Sequence, residues 1–257
     1  MLALLTDYFA SRQELLWLIT VAIDLGSALL MYRLFGKMGL YASVVLSILL
    51  ANLQGPKLII IMGMQTSMGV IIYSGIYFAT DMLSEKYGKR EANRAVMIGF
   101  LVSCIILVMI SISLMFQPST NPETAGFSRA VHEAFVTLFA YTPRFVFGSL
   151  VAYYISQHLD VFLFHAIRDR TGGHHLWLRN NGSTMVSQGV DTLIYSLVVW
   201  WGIVELPTAI ELGVSKYLIK LVIAALDTPF IYWGCRWDTH ARDWQAEREP
   251  VSYSANT

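Results

Sequence analysis

The chain has 257 residues, 55% of them hydrophobic and 14% charged, with 18 Lys and Arg balancing 18 Asp and Glu. Soluble domains carry roughly 25% charged residues, so this chain has too few charges to cover a water-facing surface, in keeping with its mean hydropathy of +0.53. The zero net charge gives no basic signature for nucleic acid, and Cys104 and Cys235, without CxxC or zinc spacing, support neither a disulfide framework nor a metal site.

Seven apolar runs are about as long as the ~20 residues that span hydrocarbon. They are Leu15–Phe35, Leu40–Leu53, Met68–Leu83, Ala95–Phe116, Phe145–Ala166, Met185–Val204 and Tyr217–Gly234. No small-residue cleavage site follows the first run, which reads as a retained helix rather than a signal peptide. Leu58–Met64 is apolar but too short to span. It follows Gly55-Pro56, which breaks the preceding helix, and it is expected to be half-buried or re-entrant. Gln117–Thr142 reads as the longest loop, with an amphipathic helix over Phe127–Leu138; after Gly234 the chain turns polar.

The expected fold is therefore an all-α polytopic membrane protein of about seven transmembrane helices. One alternating set of connections holds Arg33 and Lys37, then Lys86, Lys89, Arg90 and Arg94, then Arg168, Arg170 and Arg179, with Arg236, Arg242 and Arg248 in the tail. The opposite set holds only Arg12, Lys57, Arg129, Arg144 and Lys216. Positive charge favours the cytoplasmic side, which puts the N-terminus outside and the C-terminus inside. No internal repeat stands out.

Ionisable groups inside spanning helices are costly and mark interiors or cavities. Asp81 and Glu85 stand one turn apart at the inner end of the third span, with Tyr77 one turn before; a helix-end network with Lys86, Lys89 or Arg90 is the bland alternative to a site. The fifth span begins with Arg144 and carries Ser156, Gln157 and Asp160. In the sixth, Ser183, Ser187 and Asp191 recur every four residues beside Gln188, a stripe that glues helices or lines a site. In the seventh, Lys216, Lys220 and Asp227 share a face, and Asp227 precedes the helix-kinking Thr228-Pro229. Asp24, a lone acid in the first span, is expected to pair with another helix or with a second subunit of a homodimer. The six histidines form no HExxH or paired-ligand pattern, and His174-His175 reads as solvated in a basic loop. A hydrolase or intramembrane protease is disfavoured; no enzyme activity and no cofactor are expected.

Asn52-Leu-Gln-Gly-Pro-Lys57 and Thr80-Asp81-Met-Leu-Ser-Glu85-Lys-Tyr87-Gly88 resemble the early signature of the vitamin uptake transporter family, also called the queuosine precursor transporters. Ser156-Gln157-His-Leu-Asp160-Val, Arg179 through Ser183, Ser187-Gln188-Gly-Val-Asp191-Thr192, and Lys216-Tyr-Leu-Ile-Lys220 through Thr228-Pro229 continue the match, from about Leu40 to Gly234. Two departures stand out: the first span, and Thr192 where the family commonly has serine.

The resemblance implies a six-helix core, similar to the substrate-binding components of energy-coupling-factor vitamin transporters, over 38–235. An additional helix over 1–37 would precede it and a polar cytoplasmic tail over 236–257 would follow. It implies import of 7-cyano-7-deazaguanine or a related 7-deazaguanine by secondary or facilitated transport; the alternative is a substrate-binding subunit that needs a separate energising complex. The chain has no Walker motif, so any ATP hydrolysis would come from other chains. The expected partners are this small molecule and membrane lipid. Candidate substrate-binding residues are Asn52, Lys57, Tyr77, Asp81, Glu85, Arg144, Gln157, Asp160, Gln188, Asp191, Lys220 and Asp227. A carboxylate accepts from the adjacent N–H donors of a deazaguanine and an amide meets its carbonyl. On that chemistry Asp191 or Glu85 reads the guanine-like edge and Gln188 and Asn52 complete it. Tyr73, Tyr77, Phe145, Phe147, Tyr153 and Tyr154 are the aromatic walls on offer.

Overall fold

The computed structural model describes residues 2–139, 143–200, 202 and 205–237. In chain order the elements are α1 (Leu2–Ala10), α2 (Gln13–Gln54), β1 (Leu58–Ile61), β2 (Met64–Ser67), α3 (Gly69–Lys86) and α4 (Lys89–Met115). Then come α5 (Ala125–Phe139), α6 (Pro143–Arg170), α7 (Leu176–Trp200) and α8 (Leu206–Cys235). The expected all-α architecture is present as a helical bundle, with one small hairpin added.

α2 joins two segments that the sequence separates, and the join is Gly36, whose φ of 57° and ψ of −134° suit glycine alone. A Cβ on Gly39 would collide with the Met31 carbonyl oxygen, eight residues earlier, so the chain doubles back at this point. Farther along, Asp24 of the first segment and Ser47 of the second both reach Gly75 of α3.

Leu58–Met64 is half-buried, one of the two forms expected, and its first four residues form one strand of a hairpin. β1 pairs antiparallel with β2 in the register Leu58↔Ser67, Ile59↔Thr66, Ile60↔Gln65 and Ile61↔Met64. Met62 and Gly63 both take positive φ, the pattern of a two-residue I′ turn. Ile61 and Thr66 turn inward, while Leu58 and Ile60 are exposed.

α3 is the axis of the bundle. Between Gly69 and Ser84 every residue except Tyr73 is buried, and α2, α4, α6 and α8 pack around it. A helix buried on all sides belongs in a core. α4 is its opposite: Ala92, Ala95, Val96 and Gly99 face inward, and Leu101, Ile105, Val108, Met109 and Ile112 are exposed. α5 covers the expected amphipathic segment and buries no residue. Among the described residues, α2 and α4 are the two helices long and apolar enough to cross a membrane by length and composition. α6, α7 and α8 run 28, 25 and 30 residues but carry polar groups along their length.

One end of the bundle is tied by charge and stacking. Glu91 accepts from Tyr41 (2.8 Å) and pairs with Arg94 (2.6 Å) and Lys37 (3.4 Å). Partial burial works against its charge, but the Tyr41 hydrogen bond and the two cations hold its pKa below the usual carboxylate value. Lys86 donates to the Trp237 carbonyl (3.0 Å), and the Trp237 ring stacks on Tyr32, which fastens the end of α8 to α2 and α3.

Candidate functional site

Residues of α3, α7 and α8 line a small, half-open cavity with about 20 Å³ of free space. That is room for roughly one water molecule, so a planar ligand would enter only as the lining side chains part. Helical spacing builds the wall. Tyr73 and Tyr77 lie one turn apart on α3, Thr184 and Gln188 one turn apart on α7, and Lys220 and Asp227 two turns apart on α8.

Several polar atoms at this cavity lack partners. Both amide atoms of Gln188, Thr184 Oγ1 and the Tyr77 hydroxyl are buried without a hydrogen-bond partner among the described residues. Tyr77 lies near Gln188 and Ser156 but makes no well-formed bond to either. An unsatisfied buried polar group costs about 1–3 kcal/mol. A ligand with donors and acceptors on one edge would recover that cost, and the two tyrosines offer faces for a planar ring.

The charges around the cavity are arranged in layers. At one end Lys220 donates to Asp191 Oδ2, Ser156 donates to Asp191 Oδ1 (3.3 Å), and the Lys216 ammonium sits 3.6 Å from the Tyr195 ring centre. At the other end Asn180 donates to Asp227 Oδ1 (2.9 Å) and Thr228 Oγ1 (3.2 Å), and Asn181 donates to Thr228 Oγ1 (2.7 Å). These bonds pin α7 against the stretch of α8 that Pro229 interrupts. Beyond them Arg179 grips Glu85 with two bonds, Nε–Oε2 at 3.0 Å and Nη2–Oε1 at 2.6 Å, and donates to the Gly173 and His174 carbonyls. That clamp satisfies both charges.

Of the residues the sequence singles out, Tyr77, Gln188, Lys220 and Asp227 line the cavity, with Asp191 beside them through Lys220. Asp81, Gln157 and Asp160 are fully buried outside the lining; Ser187 donates to Asp160 Oδ1 (2.7 Å). Glu85 belongs to the Arg179 clamp, a helix-end network with a different partner from the lysines and arginine expected. Asn52 is exposed and donates to Ile48 of its own helix, and Lys57 is also exposed. The Arg144, Phe145 and Phe147 side chains lie outside the described residues. Tyr153 packs under Gly99 of α4, and Tyr154 against Phe100. Asp24 does pair with another helix, accepting from Ser74 (2.9 Å).

Sequence reasoning missed Ser74 and Thr184 as lining residues. Thr184 had a legible signal, one turn before Gln188 on the same face. Ser74 had a similar one, three residues before Tyr77 on the same face of α3. Among the described residues no group of three His, Cys, Asp or Glu is placed to hold a metal ion.

The family profile described as "Putative vitamin uptake transporter" matches residues 67–234. The chain is 37% identical over 221 residues to a Bacillus subtilis (strain 168) protein named "Probable queuosine precursor transporter", covering 84% of this chain and 92% of that one. It is 27% identical over 167 residues to the Escherichia coli (strain K12) protein named "Queuosine precursor transporter", covering 64% of this chain and 70% of that one. No solved structure matches at a significant level.

Proposed function

The chain belongs to the vitamin uptake transporter family, and from that premise we propose that it carries a queuosine precursor across the cytoplasmic membrane. The cargo is a 7-deazaguanine such as 7-cyano-7-deazaguanine, and its binding place is the cavity between α3, α7 and α8. The observation that carries this reading is the Gln188 amide, buried without a partner in a cavity walled by Tyr73 and Tyr77. An amide both donates and accepts, which fits the adjacent N–H and carbonyl groups of a guanine-like edge. Lys220, which also lines the cavity, is held there by Asp191. The names of the relatives point to the same class of cargo.

The chain crosses the bilayer seven times in this reading. The spans are the two segments of α2 on either side of Gly36, then α3, α4, α6, α7 and α8. Two features support it. The polar residues that interrupt α6, α7 and α8 include Asp160, Asn180, Gln188 and Asp227, all buried, whereas large apolar side chains such as Phe162, Val186, Leu193 and Val222 are exposed. Lipid is the solvent that favours that inversion. Arg33, Lys37, Lys86 and Arg94 also gather at the end tied by Trp237 and Glu91, which the positive-inside rule makes cytoplasmic, with the N-terminus outside.

Purified protein in liposomes preloaded with unlabelled 7-cyano-7-deazaguanine tests the proposal. Exchange of external labelled compound, competed by the unlabelled compound and weakly by guanine, is the expected outcome. Folded protein that shows no exchange would remove this substrate from consideration.

A further inference from the structure

Beside the cavity Asp81 of α3 lies against Asp160 of α6, and Asp227 of α8, which lines the cavity, is the next carboxyl group near it. Asp81 and Asp160 are fully buried and Asp227 is 1% exposed. Neither Asp81 oxygen has a hydrogen-bond donor among the described residues, and Asp160 Oδ2 has none either. The nearby cations are committed elsewhere, Lys220 to Asp191 and Arg179 to Glu85. The groups facing Asp81 are Asp160, Asp227 and, from its own helix, Glu85. From α7, Ser183, Thr184 and Ser187 face Asp160, and Asn180 faces Asp227. The acid of α2, Asp24, is held at Ser74.

Counting donors and acceptors leaves one economical arrangement. Two buried carboxylates side by side, without a donor between them, are too costly to keep. One proton lets Asp81 donate to Asp160 or accept from it, which makes one hydrogen bond between them and removes one of the two charges. We infer that Asp81 and Asp160 share a transported proton, so that uptake through the adjacent cavity is proton-coupled. This rests on the transporter reading and adds its driving ion.

Thr184 links the two sites. It lines the cavity, lies beside Asp160, and its Oγ1 is buried with no well-formed bond. A cargo that engages this hydroxyl alters what it can offer Asp160. Cargo affinity and proton affinity then depend on each other, and by linkage the dependence is reciprocal.

The test uses liposomes with the membrane potential clamped near zero by potassium and valinomycin. An acid-outside gradient of about one pH unit should drive 7-cyano-7-deazaguanine to about a tenfold internal excess for one proton per cargo molecule, since a tenfold ratio corresponds to one pH unit. A protonophore should abolish the excess. Asp81→Asn and Asp160→Asn should each lose it, measured relative to their own exchange rate. Wild-type exchange without a pH-driven excess, an excess driven by sodium instead, or a tenfold excess kept by Asp81→Asn would each overturn the inference. If folded wild type shows no exchange, the cargo assignment fails separately, and infrared spectroscopy decides the proton. A protonated-carboxyl C=O band that disappears in Asp81→Asn supports the shared proton, and its absence from wild type overturns it.

Discussion

Lys220→Met isolates the energetic role of the buried ion pair. Lys220 and Asp191 side chains are 7% and 9% exposed, so water screens neither. Without the ammonium, Asp191 keeps the 3.3 Å bond from Ser156 and the more distant charge of Lys216. Removing one partner of a buried pair costs about 3–5 kcal/mol, because an uncompensated charge is left behind. For a chain of this size about 1 kcal/mol moves Tm by roughly 2–4 °C. The melting temperature in detergent should therefore fall by roughly 6–20 °C. The double variant Lys220→Met/Asp191→Leu removes both members of the pair and should recover most of that fall. A single variant within about 2 °C of wild type, or a double variant no better than the single, would refute the reasoning.

Gly39→Ala should destabilise the protein by about 1–3 kcal/mol or more, because its Cβ would strike the Met31 backbone carbonyl. The same exchange at Gly26, where nothing lies near, should be close to neutral, and melting curves compare the two. Glu91 sets an acid-side dependence. Its pKa is lowered by folding, so the folded state binds that proton less tightly, and the contribution is complete at neutral pH and lost as pH falls below the ordinary value of 4.5. Glu91→Gln should flatten that acid limb in a melting series from neutral pH downward. Arg179→Lys should weaken the hold on Glu85, since an ammonium cannot reproduce the two-pronged bond. A lower melting temperature with cargo affinity retained would be the readout.

Hydrophobic runs made most of the helices legible, because an apolar face needs no knowledge of its partner. The break between Phe35 and Leu40 marked the reversal at Gly36, although not its sharpness, which depends on the contact of Gly39 with Met31. The hairpin was hidden because only β1 is apolar. Its partner Met64–Ser67 carries Gln65, Thr66 and Ser67, and its turn is Met62-Gly63 rather than Asn-Gly. At the candidate site, the four-residue stripe of α7 separated Ser187 and Asp191 from the bulk of the helix. Which α7 residues face the cavity, Thr184 and Gln188, depends on how α7 leans on α3 and α8. Glu85 shows the same limit: its partner Arg179 lies 94 residues away, and local spacing suggested Lys86, Lys89 or Arg90. Asn52 and Lys57 stand out only through the family motif, and neither lines the cavity.

The central claim is that the cavity between α3, α7 and α8 binds a 7-deazaguanine through Gln188. The most direct measurement is a thermal-shift titration of the purified protein with 7-cyano-7-deazaguanine, with guanine as control and Gln188→Leu alongside wild type. At a ligand concentration about 100 times Kd, binding adds about 2.7 kcal/mol to stability, which is roughly 5–11 °C for a chain of this size. The account predicts a shift of that order in wild type, a smaller one with guanine, and little in Gln188→Leu. An equal shift in wild type and Gln188→Leu, or none in folded wild type, would contradict it.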